Sequence, residues 1–501
     1  MTGMTFRDSD RASTRRRALP FVFGVAVVLQ VLLAVWGSRE PVLLIGGIVF
    51  AIVLCLSLAN TFAGLIAILL FQIRILQGSS EIGIDELAYA ALFAATFGGW
   101  LLRHGLSSEF RRLRSSPLTV PLLAFFVVCA VSIIPSLVNG YSPLWWFRDL
   151  VRFSTFLLIF PVATVARSRK RAAVLVTCFL AVVLYYGIDA FMTYRSMLEA
   201  AKHLWQMQWQ RAPSHEVLPM TTLVIALAVF LRTRSSRAMI ASLCVVLISL
   251  VPLAVSLSRG FWAASGLAIL ILLLVSRPAA RRVVGLAVTT TVGALIAGYM
   301  AFGWRFAGVI ESLTERFSSI ASPLAALSIQ ERLAESSAQL ELIAENPIIG
   351  HGLGATLSYM SPIESQLITS TYSHNAYLFL IFKLGIAGLV AFLAFYVRGV
   401  LRVRAAARRS GSTFERTLML GSLSLLIVFL PLSITSPQFY AKTSVLVIAL
   451  MFGMAEAIVG RSGSESAEPA PRAQGDRAAA SAVPEGGPRE HRSADGPAEA
   501  S

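Results

Sequence analysis

Three places in this 501-residue chain combine residue types that can handle a phosphate and a hydroxyl. The first is Ser256-Leu257-Ser258-Arg259-Gly260, a short break between two apolar runs. An arginine held in so short a turn is a rigid fork for two phosphate oxygens. The plainer alternative is a side chain that snorkels to lipid headgroups. The second is Ser328-Ile329-Gln330-Glu331-Arg332, followed by Glu345-Asn346-Pro347-Ile348-Ile349-Gly350-His351-Gly352-Leu353-Gly354. Ser328 and Glu331 have capping-box spacing, Ile329, Leu333, Leu340 and Ile343 form an apolar stripe, and Asn346-Pro347 ends the predicted helix. The glycines beyond it make a tight turn without the lysine of a nucleotide loop. The third is His374-Asn375, which opens a long apolar run. A histidine there can take a proton from a hydroxyl, or it can serve as a cap or headgroup contact.

No spacing announces a metal. His203, His215 and His351 form no HExxH pattern, the outer carboxylates contain no DxD pair, and Cys55, Cys129, Cys178 and Cys244 each sit alone in an apolar run. Further cations, Arg74, Arg148, Arg152 and Arg211, stand near the outer ends of apolar runs, where the positive-inside tendency disfavours them. Each is a candidate substrate contact, as is Asn375. Asp189 and Lys383 lie inside predicted spans, are functional candidates by default, and have the option of pairing.

Such residues need a scaffold that gathers them on one side of a membrane. The chain is 56% hydrophobic and 14% charged, with a mean hydropathy of +0.71. These values exclude a disordered chain, a coiled coil and an ordinary soluble enzyme. About 12–14 runs long enough to span a bilayer lie between residues 18 and 459, among them 18–37, 42–59, 61–77, 148–166 and 375–397. They are too long and too continuous for barrel strands, so the predicted fold is an all-α polytopic membrane protein. With the N-terminus inside, every other loop is rich in arginine, which accounts for most of the +16 net charge without nucleic acid. The predicted organisation is a basic segment 1–17, a membrane domain 18–459 with a large outer loop 304–374 containing helices, and a tail 460–501 too poor in apolar residues to bury a core. A second outer segment, 195–215, has the spacing of an interfacial amphipathic helix.

Taken together, the motifs resemble those of the O-antigen ligase and O-antigen polymerase superfamily of bacterial polysaccharide enzymes. Ser256 to Trp262 is similar to its S-x-S-R-G turn. Arg332 with Asn346 to Gly354 is similar to its R…NP-x-x-G-x-G-x-G loop. His374-Asn375 with Gly385 to Leu389 is similar to its HN…G-x-x-G helix. The motif-bearing stretch covers about 250–395. The resemblance implies a GT-C-type glycosyltransferase of the bacterial inner membrane with both termini cytoplasmic, inverting, metal-independent and without a cofactor. Its implied donor is a glycan on undecaprenyl diphosphate, and its implied acceptor is lipid A core, a growing glycan or another envelope polymer. It further implies that Arg259 and Arg332 hold the diphosphate, that His374 engages or activates the acceptor hydroxyl, and that Arg74 matches an early basic residue. Lys383 departs from the pattern, in which an acidic or neutral residue is commoner. A transporter or flippase of lipid-linked oligosaccharide is the competing expectation, and a peptidoglycan polymerase of the shape-and-division family a further one; no internal repeat of the transporter kind is visible.

Overall fold

The computed structural model describes residues 41–75, 84–200, 215–276, 280–303, 306–318 and 327–465. The run 18–37, most of the tail 460–501 and the stretch 201–214 lie outside the described residues. Because a backbone in hydrocarbon must bond to itself, nearly all the rest is helix. In chain order the helices are α1 Pro41–Ala59, α2 Thr61–Ile75, α3 Ile84–His104, α4 Ser108–Arg114, α5 Thr119–Val131 and α6 Ile133–Val138. Then come α7 Pro143–Ser154, α8 Ile159–Val165, α9 Arg169–Ala200, α10 Val217–Arg232, α11 Ser236–Val255 and α12 Arg259–Ser276. The remainder are α13 Ala280–Phe302, α14 Phe306–Ser318, α15 Leu327–Glu345, α16 Ala376–Arg409, α17 Thr413–Leu432 and α18 Lys442–Glu465. Among the described residues seven helices are long and apolar enough to cross a bilayer, with four shorter apolar ones beside them. The chain is an all-α polytopic membrane protein, as its composition requires.

Three details differ from the sequence expectation. The predicted span 148–166 is not one helix: α7 ends at Ser154, a 3-10 turn covers Thr155–Leu158, and α8 follows. Arg148, Asp149 and Arg152 make α7 amphipathic, so it cannot be a uniformly apolar span. The large outer loop contains an antiparallel hairpin, β1 Leu357–Met360 and β2 Leu367–Ser370, in register Leu357 with Ser370. The last helix continues to Glu465, past the expected boundary at 459.

Packing centres on α16, which lies against α5, α15, α17 and α18. Phe392 meets Phe125, Phe156 and Phe439 with ring centroids 5.4, 5.8 and 4.9 Å apart, and Phe395 meets Phe452 at 5.6 Å. Lipid tails are as apolar as these rings, so close van der Waals contact, more than the hydrophobic effect, holds such helices together. Exposed Ile45, Val49, Ile52 and Leu56 form one stripe on α1 that suits lipid. Polar networks gather at the two ends of the bundle. One joins Glu109 with Arg167, Arg402 with Glu456, and Arg461 with Glu415. The other holds Glu86, Glu335, His374 and Lys442. Lys442 and Arg461 on α18 are separated by about 28 Å of helix, close to the thickness of a hydrocarbon core.

One residue inside α16 is not helical: Gly385, at φ 67° and ψ −177°, a region that is essentially glycine-only. The break separates Phe382 O from Ile386 N and Lys383 O from Ala387 N. The loop 347–352 supplies substitutes. His351 N donates to Phe382 O (2.8 Å), Gly352 N donates to Lys383 O (2.9 Å), and Pro347 O accepts from Ile386 N (2.9 Å). A Cβ on Gly385 would lie 1.9 Å from Ile348 O, and one on Gly350 2.6 Å from Gly385 N. Gly352 and Gly354, also at positive φ, approach the backbones of Ser136 and Trp146 at 2.5 and 2.6 Å in the same sense. The glycine-rich motif is thus the fastening of the outer loop to the membrane domain. Gly385→Ala is expected to lower stability by at least about 1–3 kcal/mol from backbone strain alone, read as a lower melting temperature in detergent. Gly46→Ala, with open space around it, is expected to leave melting unchanged or slightly raised.

Candidate active site

The helix α15 presents the face opposite to the one its apolar stripe predicts. Leu333 and Leu340 are 56% and 53% exposed, while Glu335 and Gln339 are 2% and 1% exposed. Local patterning assumes that polar residues seek water; here they have protein partners. Glu331 does not close the predicted capping box. Its carboxylate accepts from the Tyr359 hydroxyl (3.0 Å) and Ser361 Oγ (2.7 Å), which tie the hairpin to α15.

Four residues further along the same face, Glu335 meets His374. Its Oε1 accepts from the His374 backbone N–H at 2.9 Å, and its Oε2 lies 2.6 Å from His374 Nδ1. A carboxylate only accepts, so Nδ1 carries the proton and Nε2 is the nitrogen offered outward. The ring is one third exposed. Its backbone is equally fixed. Gln339 Oε1 accepts from Ser373 Oγ (2.9 Å), the Tyr440 hydroxyl accepts from Ser373 N (2.9 Å) and donates to Ser373 O, and Ala376 N donates to Ser433 O (2.9 Å). Asn375 caps α16: its Oδ1 accepts from Tyr377 N and Leu378 N. Tyr372 stands edge-on to the His374 ring at 5.0 Å.

Tyr372, beside the dyad, is influenced by charges of both signs. Burial and then Glu335 push the Tyr372 phenol above its usual range, while Arg332 and Arg152 pull it back. Arg259 begins α12 two residues after Leu257, a buried non-glycine residue at φ 50°, a strained conformation costing about 1–2 kcal/mol. That turn aims the N-terminus of α12 at the loop between α17 and α18, where Gly260 faces Thr435. The same loop carries Ser433 and Tyr440. To one side, a small pocket of about 40 Å³ is lined by Glu86, Leu144, Phe147, Arg148, Arg152 and Lys442. Arg148 and Lys442 both pair with Glu86, and Arg152 pairs with Asp149.

Lys383 does not pair with Asp189. Its Nζ lies 2.9 Å from Asp149 Oδ2 and donates to Ala355 O at 2.6 Å, while Gly354 N donates to the same carboxylate oxygen at 2.9 Å. Four cations, Arg148, Arg152, Lys383 and Lys442, thus share two carboxylates, an excess of two positive charges.

Of the residues singled out from sequence, the structure brings His374, Arg332, Arg152 and Arg148 to one end of the bundle and sets the Arg259 turn on the loop that anchors Ser373. The Asn375 side chain is occupied by the helix cap. Arg211 and the Arg74 side chain lie outside the described residues. His351 is apart from the dyad, with Nε2 2.7 Å from Leu342 O. Sequence spacing missed Glu335, Tyr372 and Tyr440. Glu331, Glu335 and Gln339 at four-residue intervals were the available signal for a polar helix face.

A family model described as O-antigen ligase matches residues 244–393, from α11 into α16. No curated protein matches the chain. The buried pair gives a direct stability test. Lys383→Met leaves Asp149 charged and unpaired and is expected to cost about 3–5 kcal/mol, read by thermal unfolding in detergent. Lys383→Met with Asp149→Leu is expected to recover a substantial part of it.

Proposed function

From the match of an O-antigen ligase family model to residues 244–393, we propose that the chain is a member of the O-antigen ligase and polymerase superfamily and transfers a glycan from undecaprenyl diphosphate to an acceptor hydroxyl at the outer face of the inner membrane. One observation carries the proposal: His374 is held by a buried carboxylate at 2.6 Å through Nδ1, which leaves Nε2 of the one-third-exposed ring for a substrate hydroxyl. In this reading Nε2 takes the proton as the acceptor oxygen attacks the anomeric carbon. The C–O bond to the diphosphate breaks as the new glycosidic bond forms, so one displacement inverts that carbon. Glu335 positions the ring and stabilises the imidazolium that forms. Negative charge grows on the departing diphosphate, and preorganised cations lower the barrier by stabilising it more than the ground state.

Arg259 and Arg332 are assigned to the diphosphate, as is the α12 N-terminus, whose positive dipole end favours an anion. Arg148 and Arg152 border the small pocket beside the dyad, and their excess positive charge suits the same group on its approach from the lipid. Asn375 contributes by fixing the start of α16, and Arg74 and Arg211 remain assigned to substrate. The arginines neutralise the diphosphate without a metal. Both termini are placed in the cytoplasm, which sets His374 on the outer side. Lipid A core, a growing glycan and another envelope polymer are all acceptors that this chemistry allows.

Cells lacking the protein, complemented with variants, test the assignment. His374→Ala is expected to insert normally and lose transfer by about 10²–10⁴-fold, with undischarged lipid-linked glycan accumulating. Full complementation by that variant contradicts the base assignment. In purified protein, Arg259→Lys is expected to lose at least about tenfold in transfer, ~1.4 kcal/mol, and a chelator to leave the rate unchanged. Unchanged donor use by Arg259→Lys removes the bidentate phosphate contact.

A further inference from the structure

At the end of the bundle opposite His374, an apolar cavity of about 310 Å³ opens among α9, α10, α11, α17 and α18. Leu175, Ile225, Ala241, Leu418, Val447 and Met454 represent its walls. A second pocket of about 100 Å³ continues it, sharing Val176, Phe414, Leu418 and Met454, and ends among Arg169, Glu415 and Arg461. From Val447 to Arg461 this path follows fourteen residues of α18, about 21 Å. A single leaflet of hydrocarbon is about 15 Å deep.

Two further features mark the cavity as a site. Thr221 and Ser422 line it, are 2% and 1% exposed, and have hydroxyl oxygens without a hydrogen-bond partner. At the mouth, Arg169 Nε and an Arg461 guanidinium nitrogen lie 3.2 and 2.5 Å from the same Glu415 oxygen. Two cations meet one carboxylate at the opening, with Lys170 next to Arg169 in sequence. The Arg169 side chain is 66% exposed, whereas Arg461 is fixed by donating to Ala166 O and Arg167 O. A largely apolar shaft ending at a mouth with two arginines matches a chain with an anionic head.

We propose that this cavity binds an anionic glycerophospholipid of the cytoplasmic leaflet, one acyl chain in the shaft and the phosphate at Arg169 and Arg461. The choice of leaflet rests on the orientation given above; the site does not depend on the transfer chemistry. The lipid wedges α9 against α17 and α18, and α17 and α18 are joined at their far ends by the loop that anchors Ser373.

The test uses the full-length purified protein in mild detergent, titrated with phosphatidylglycerol or phosphatidylcholine and followed by native mass spectrometry and melting temperature. Phosphatidylglycerol is expected to bind saturably near one per chain and to raise the melting temperature more than phosphatidylcholine does. Arg169→Gln is expected to weaken it roughly fivefold, the share of one basic residue at a membrane surface. Ala241→Phe, which fills the shaft, is expected to abolish the bound stoichiometric lipid. His374→Ala is expected to bind like the unaltered protein, which separates this proposal from the one for transfer. Equal binding of both lipids, unchanged binding in Arg169→Gln and Ala241→Phe alike, loss of binding in His374→Ala, or displacement by an equimolar polyprenyl phosphate would each overturn it.

Discussion

A helix in hydrocarbon cannot leave backbone groups unpaired, yet α16 breaks at Gly385. The loop 347–352 repairs it by lending its own N–H and C=O groups to Phe382, Lys383 and Ile386. That exchange requires backbone contact with no intervening Cβ, which is why glycines stand on both sides of it. The arrangement around His374 depends on this fastening. It fixes the start of α16, and hence His374; it brings Gly354 and Ala355 onto Asp149 and Lys383; and it sets the end of α15 so that Glu335 reaches the imidazole.

The charges form a second layer of the same construction. Lys383 and Asp149 are each almost wholly buried, where desolvation opposes charge, so their stability contribution as a pair is small. Their value is geometric. Asp149 holds the glycine loop through Gly354 N, holds α16 through Lys383, and restrains Arg152 at 3.1 Å. A single carboxylate therefore couples the loop, the broken helix and one of the arginines that act on Tyr372. Arg152 in turn sits beside Arg148 on α7, the segment whose polar residues prevent it from being an ordinary span.

Hydropathy and charge bias disclosed the membrane fold, and the family match at 244–393 nearly coincides with the motif-bearing stretch. Local spacing also singled out Arg259, Arg332 and His374 as candidates, because turns, caps and helix starts are short-range features. Partnerships were not legible. Glu335 and His374 are 39 residues apart, and Asp149 and Lys383 are 234 apart; no periodicity encodes such a meeting. The α15 stripe pointed the wrong way for a physical reason: its polar face serves protein partners, and Leu333 and Leu340 are left outside. The role of the glycines was hidden for a similar reason, since a tight turn and a docking surface for another helix's backbone require the same residue type.

The proposed transfer is a single displacement at the anomeric carbon, with His374 taking the acceptor proton and cations receiving the diphosphate. The most direct measurement is the stereochemistry of the bond formed. A defined lipid-diphosphate glycan of known anomeric configuration would be turned over by the purified protein, and the product linkage assigned by NMR. The account predicts complete inversion, an α-linked donor giving a β-linked product. Retention would mean a covalent or otherwise two-step route and would contradict it.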